Sequence, residues 1–401
     1  MAKVFIVAAK RTPIGSFNGA LKSVSPAQLG AVAIKAAVEQ ANVNPANLDE
    51  VIVGNVVGAG QGMGPGRQAA LFAGIPNEVP AYSLNMVCGS GMKTVMDAAA
   101  HIKAGDADLV VAAGAESMSQ IPFCVSSKVR DGQKMGNLEM TDLLIADGLT
   151  DVFNNYHMGV TAENVVAKVG LTREQQDNFA LASQQRAVAA IEQGTFKDEI
   201  AAVEVTVRRK TSVVDTDEYP KADASMESLA KLRPAFNKEG SVTAGNASGI
   251  NDGGSAIIVA SEAAVKQYNL TPLAEIESYA QAGVAPEVMG LGPVPAVIKA
   301  LKKAELSIDQ IGLFEFNEAF AGQALGVLHE LADELDVKVE DIAERSNVNG
   351  GAIALGHPLG ASGNRIIVSL LHEMRRRNTE YGLATLCVGG GMGTAIVLKS
   401  V

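Results

Sequence analysis

Two stretches of this chain are written twice in altered form, and that repetition constrains the fold more than any other feature. Ala33–Val56 (AIKAAVEQANVNPANLDEVIVGNV) runs parallel to Val297–Ala319 (VIKALKKAELSIDQIGLFEFNEA), helix pattern on helix pattern and strand pattern on strand pattern. Ser90–Gly114 matches Ser362–Gly390 in the same way, with a small insertion. A repeat of this kind predicts two copies of one βα module. Because ligands of open α/β sheets gather at the carboxyl ends of the strands, two stacked copies would turn their functional loops toward one cleft.

The local signals agree with an α/β class. Ser25-Pro26-Ala27-Gln28 is a capping box with Pro at the first helical position, and it opens an Ala-rich amphipathic run that ends near Asn42. Thr172-Arg173-Glu174-Gln175 repeats the device, for a helix that stops at Gly194. VFIVAA, EVIVGNVV, DLVVAAGA, LFEFNE, ATLCVGG and TAIVLK are short apolar runs bounded by Gly, Asp or Asn, as expected of strands covered on both faces. The predicted division is an N-terminal module over 1–118, an inserted loop domain over 119–249, a return to the first module over 250–270, and a C-terminal module over 271–401. The insert is polar, lacks a counterpart in the repeat, and is where a cover for a ligand site belongs.

Composition excludes several functions. Among 401 residues, 47% are hydrophobic and 19% charged, enough to bury a large core. Lys and Arg number 33 against 44 Asp and Glu, a net charge of −11, and no basic tract offers a footprint for nucleic acid. No apolar run approaches the roughly 18 residues needed to span a bilayer. The opening Val4–Ala9 run is too short for a signal peptide and reads as a first buried strand. Three widely spaced cysteines without a CxxC pair fit neither a disulfide framework nor a zinc site, so a cytoplasmic location is expected. Gly58–Arg67 (GAGQGMGPGR) contains no GxGxxG, no GK dipeptide marks a P-loop, and neither HELAD nor HEMRR carries the second His of a zincin.

Four positions carry possible chemistry. Cys88, in NMVCGSGMKTV, sits at a strand-to-helix elbow, where a helix N-terminus favours the thiolate and should lower its pKa. It reads equally as a small buried hydrophobe. His357, between Gly356 and Pro358, is a general base or a structural loop histidine. The repeat places Ser90-Gly91 opposite Ser362-Gly363, which sets the Cys88 and His357 elbows at equivalent ends of the two modules. Cys387 precedes three glycines whose N–H groups can form an anion nest, or it is simply core. Asn317 ends a strand and is either functional or a cap for the next helix.

The segments NMVCGSGMKTV, NEAFA, GGAIALGHPLGASG and CVGGGMG, in this order and joined by TAGNASGINDG and YHMG, resemble the thiolases over practically the whole length, and closely the short-chain acetyl-CoA acetyltransferases. The resemblance implies a thiolase-like fold and a Claisen condensation of two acetyl-CoA to acetoacetyl-CoA and CoA, through an acetyl thioester on Cys88. His357 would take the thiol proton, and Cys387 would act on the α-proton. One donor set would be His357 with a water held by Asn317, the other the backbone N–H groups of Cys88 and Gly389. CoA contacts would fall on His157, Lys221, Ser228, Ala244, Ser248, Met289 and Phe320. Met289 and Phe320 also read as core, and Lys221 stands where the family commonly has a stacking Arg. CoA thioesters would be substrates, with no metal and no further cofactor, and a homotetramer is expected. The competing readings are a degradative thiolase of longer chains, a cysteine hydrolase built on Cys88, His357 and Asn317, and a non-catalytic acyl-CoA carrier.

Overall fold

The computed structural model describes residues 2–401. The capping boxes form as read. In α1 (Pro26–Ala41), Ser25 Oγ accepts from the Gln28 N–H at 3.3 Å while Gln28 Oε1 accepts from the Ser25 N–H at 3.0 Å. Leu29, Ala33, Ile34 and Ala37 line its buried face, and Asn42 ends it in the left-handed region at φ 51°. The Thr172 box opens a 20-residue helix, Arg173–Glu192, in the same manner.

The strands are β1 (Val4–Arg11), β2 (Glu50–Gly54), β3 (Ala81–Leu84), β4 (Leu109–Ser117), β5 (Asn251–Ser261), β6 (Ala274–Gly283), β7 (Leu313–Phe316), β8 (Tyr381–Val388) and β9 (Met392–Ser400). They form one mixed sheet in the order β7-β8-β9-β6-β1-β5-β4-β2-β3, with the two-residue strand Gly15–Ser16 added on β5. Four strands of the first half repeat the four of the second, and β3, at the edge of the first, has no counterpart. In the first, β2 lies parallel to β4, which pairs antiparallel with β5, which pairs with β1. In the second, β7 lies parallel to β8, which pairs antiparallel with β9, which pairs with β6. Only Phe5↔Glu275 and Ile6↔Ala274 join them.

Each half wears α-helices on both faces. α1 and α2 (Pro65–Phe72) cover one outer face, and their Ala and Ile side chains share a core with β1, β2 and β4. The helices Pro293–Ala304 and Ala321–Leu335 cover the other. Between the half-sheets, α3 (Ser90–Ala104) packs on the C-terminal helix Leu359–Arg377, and Met92, Val95, Ile366 and Leu370 knit strands of both halves into one core. The result is five layers, α/β/α/β/α. The central helices meet at their first turns, where a Cβ on Gly363 would lie 2.5 Å from the Met92 nitrogen. Glycine there lets the two N-termini touch backbone to backbone.

The segment between β4 and β5 carries small hairpins and three α-helices, Met158–Val169, Arg173–Glu192 and the short Met226–Ala230. Arg11, fully buried on β1, ties it down by ion pairs to Glu199 at 2.6 Å and Asp217 at 2.7 Å. Among the described residues no helix is long and apolar enough to cross a membrane.

Candidate active site

The turn before α3 is held by side chains on either side of Cys88. Asn85 Oδ1 accepts from the Val87 N–H at 2.9 Å, and Ser90 Oγ donates to the Val87 carbonyl at 2.7 Å while accepting from the Met86 N–H at 2.8 Å. This forces Val87 to φ 48°, a conformation that a β-branched residue adopts only under strain. Cys88 is thereby presented to a cavity of about 480 Å³. His357, Cys387 and Gly389 line the same cavity, so the two elbows related by the repeat face one space.

The sequence reading of a lowered Cys88 pKa is corrected by the structure. Burial against Val87, Met118, Leu149 and Leu359 pushes the thiol up to about 11, opposed by the N–H groups of Gly389 and Cys88 itself and reinforced by the charge of Glu116. Desolvation outweighs the helix end because α3 starts two residues later. Cys387, at the end of β8, has no exposed surface, and burial followed by the neighbouring Cys88 pushes its thiol up as well. Both sulfurs therefore rest as thiols.

His357 is held in one tautomer. Ser362 Oγ lies 2.6 Å from Nδ1 and places its own proton on the Pro358 carbonyl at 2.9 Å, so Nδ1 carries the hydrogen and Nε2 keeps its lone pair. Burial, with the Arg365 charge second, lowers the imidazole to about 3, which keeps it neutral. Asn317 Nδ2 sits 3.5 Å from Nε2, and the amide Oδ1, fully buried, has no partner. Asn317 does not cap the following helix, whose N-cap is Phe320.

His157, Ala244, Ser248, Met289 and Phe320 line the same cavity, the last two packed with Cys387. The His157 ring stacks on Phe236 at 4.5 Å and 17°. Room for this exists because position 159 is glycine: a Cβ there would lie 2.2 Å from the Phe236 ring. Lys221 and Ser228 are exposed and stand outside the cavity wall; Lys221 Nζ lies over the Tyr219 ring at 5.6 Å, and Ser228 helps close the capping box at Ser225. Tyr219, Phe236, Leu149 and the orienting hydroxyl of Ser362 are site residues that the sequence reading missed. Only Ser362 had a signal, its place opposite Ser90 in the repeat.

The comparisons agree with this geometry. The family model described as "Thiolase, N-terminal domain" matches residues 4–263, and "Thiolase, C-terminal domain" matches 270–400. An acetyl-CoA acetyltransferase of Chromobacterium violaceum is 54% identical over 398 residues, 99% of each chain, and one of Escherichia coli is 52% identical over 399 residues, 100% of this chain and 99% of its own. The solved acetyl-CoA acetyltransferase of Bacillus anthracis superposes with a TM-score of 0.95 at 45% identity, covering 100% of this chain and 99% of that one. The human mitochondrial 3-ketoacyl-CoA thiolase in complex with CoA gives 0.93 at 45% identity, covering 100% and 98%. With the N-terminal and C-terminal thiolase models together matching nearly the whole chain, and full-length relatives above 50% identity, the chain belongs to the thiolase family.

Proposed function

We propose that this chain is an acetyl-CoA C-acetyltransferase in which Cys88, His357, Asn317, Cys387 and Gly389 carry out the reversible condensation of two acetyl-CoA to acetoacetyl-CoA and CoA. The observation that carries the reading is the placement of a half-buried thiol, a fully buried thiol and a histidine with a free Nε2 lone pair on one apolar cavity. A hydrolase needs one thiol and a path for water, and a carrier needs neither thiol.

The protons balance as follows. His357 Nε2 takes the Cys88 proton as the sulfur attacks the thioester carbonyl, and the departing CoA sulfur takes the proton of Cys387. This leaves an imidazolium and a Cys387 thiolate, a neutral pair in a low-dielectric cavity. The thiolate removes the α-proton of the second acetyl-CoA. The imidazolium, with a water held by Asn317, stabilises the resulting enolate oxygen. The carbanion attacks the acetyl on Cys88, with the developing oxyanion on the N–H groups of Cys88 and Gly389. The released Cys88 sulfur recovers its proton from His357.

Met158, Met289 and Phe320 pack with Cys387 in one apolar cluster, which supports a short acyl group over a long one. In this reading CoA thioesters are the only small molecules required, with no metal or cofactor, and the segment between β4 and β5 covers the CoA site. The enzyme works in the cytoplasm as a homotetramer. Incubation with acetyl-CoA should place one acetyl group on Cys88 and yield acetoacetyl-CoA; mass spectrometry finding the label on Cys124 or Cys387 would overturn the assignment.

A further inference from the structure

Glu116, one residue from the end of β4, is fully buried and plays no part in the proton transfers above. Every hydrogen bond to its carboxylate comes from an N–H donor. Oε2 accepts from the Val56 N–H and the Gly360 N–H, both at 2.9 Å; Oε1 accepts from Asn55 Nδ2 at 3.1 Å and the Val57 N–H at 3.3 Å. Burial pushes the carboxyl up to about 7, opposed by the N–H groups of Val56, Val57 and Gly360 and reinforced by the charge of Asp252; four donors and no acceptor favour its ionised form.

The two bonds to Oε2 lead to different parts of the site. Gly360 lies in the first turn of the helix Leu359–Arg377, whose N-cap, Pro358, supplies no side-chain hydrogen bond. Glu116 therefore caps that helix from across the sheet, where a negative charge also meets the positive end of the helix dipole. Ser362, two residues on, orients His357. The second bond holds Val56, whose carbonyl accepts from Asn85 Nδ2 at 3.0 Å; Asn85 Oδ1 in turn accepts from the Val87 N–H at 2.9 Å. That N–H belongs to the strained residue directly before Cys88. One oxygen atom thus anchors both the elbow of the thiol and the turn of the histidine.

We propose that Glu116 is a positioning residue that sets the register between Cys88 and His357. The inference rests on the reading of those two residues as nucleophile and base, and it names what holds them in place. Neither arm crosses the substrate cavity, so the role concerns turnover and not CoA affinity.

The test is a double-mutant cycle read without any CoA ester: the rate of Cys88 carbamidomethylation by iodoacetamide at pH 7.5, measured peptide by peptide, in the parent, Glu116→Gln, His357→Ala and the double variant. Removing the Glu116 charge alters the thiol directly, but that effect is the same with and without His357 and cancels in the cycle. The parent-to-Glu116→Gln rate ratio should exceed the corresponding ratio in the His357→Ala background by about tenfold, as contacting residues in one network couple. Equal ratios would overturn the proposal and leave the acetyl-transfer reading intact. An unaltered rate in His357→Ala alone would overturn both. Should Glu116→Gln melt before assay, Asn85→Ala breaks only the elbow arm and is run through the same cycle with the same two outcomes. In thiolysis of acetoacetyl-CoA, kcat of the folded variant should fall at least tenfold with KM within about twofold; a loss confined to KM would overturn the positioning role.

Discussion

Ser90 and Ser362 occupy the same place in the two halves, and each hydroxyl closes an elbow by donating back to a carbonyl, of Val87 at 2.7 Å and of Pro358 at 2.9 Å. They differ in what they accept. Ser90 Oγ takes the backbone N–H of Met86, whereas Ser362 Oγ takes Nδ1–H of His357. A hydroxyl that stabilises the turn in one copy thus fixes the tautomer of a histidine in the other. Ser362→Ala should leave a buried N–H unpaired, at a cost of about 1–3 kcal/mol, and lower kcat roughly tenfold with KM little changed. Steady-state kinetics that matched the parent would show that the ring needs no such partner.

With Cys88 pushed up to about 11, proton transfer to His357 is required for reaction at neutral pH. In His357→Ala, alkylation of Cys88 should be slower at pH 7 and should climb about tenfold per pH unit, because thiolate then forms only by ionisation into bulk water. A profile as shallow as that of the parent would remove His357 from the role of base.

In the proposed mechanism Cys387 is indispensable for the α-proton but only assists the attack by Cys88, since a CoA thiolate can depart without its proton. Cys387→Ala should still take up acetyl from acetyl-CoA, measured by intact mass, while condensation falls by about 10² to 10⁴. Exchange of acetyl α-protons with deuterated water should vanish in parallel. Condensation at the parental rate would make Cys387 plain packing.

Gly159→Ala drives a methyl into the Phe236 ring and should unseat the ring from His157. Losing a stacked pair of about 0.5–1.5 kcal/mol predicts a KM for acetyl-CoA raised about two- to tenfold, with a smaller effect on kcat. If kcat fell and KM held, the stack would belong to the reacting centre and not to the CoA end.

His357 also couples stability to acidity. Its folded pKa of about 3 lies below the ordinary 6.5, so between those values the unfolded chain binds a proton that the folded chain refuses. This contribution is complete above pH 6.5 and is lost as pH falls toward 3. Between pH 6.5 and 5 it removes about 2 kcal/mol. Denaturant midpoints should therefore fall more steeply for the parent than for His357→Asn over that interval; equal slopes would place the acid sensitivity elsewhere.

The repeat and the capping boxes were legible because they are local: Ser25 to Gln28 and Thr172 to Gln175 are single turns, and Ser90 opposite Ser362 needs only alignment. The same spacing put Cys88 and His357 at matching elbows. What could not be read was the environment. The thiol of Cys88 is raised by Met118, Leu149 and Leu359, residues that only the fold brings together, so a rule based on the nearby helix end pointed the wrong way. Phe236 was missed for the same reason, since its partner, His157, lies 79 positions earlier and the clearance between them comes from a third residue, Gly159. Lys221 and Ser228 were drawn from a motif in an exposed segment, where sequence order alone does not say which residue turns toward the cavity; Tyr219 does.

The two desolvated thiols have a consequence for life between turnovers. A resting pair of protonated sulfurs is chemically quiet, because oxidants and stray electrophiles in the cell react with thiolates. In the proposed mechanism the reactive ion pair arises only after a thioester has threaded the apolar cavity and delivered its acyl group. Reactivity is thus generated by the substrate itself, and the chain can carry two cysteines on one cavity without exposing a standing nucleophile to its surroundings.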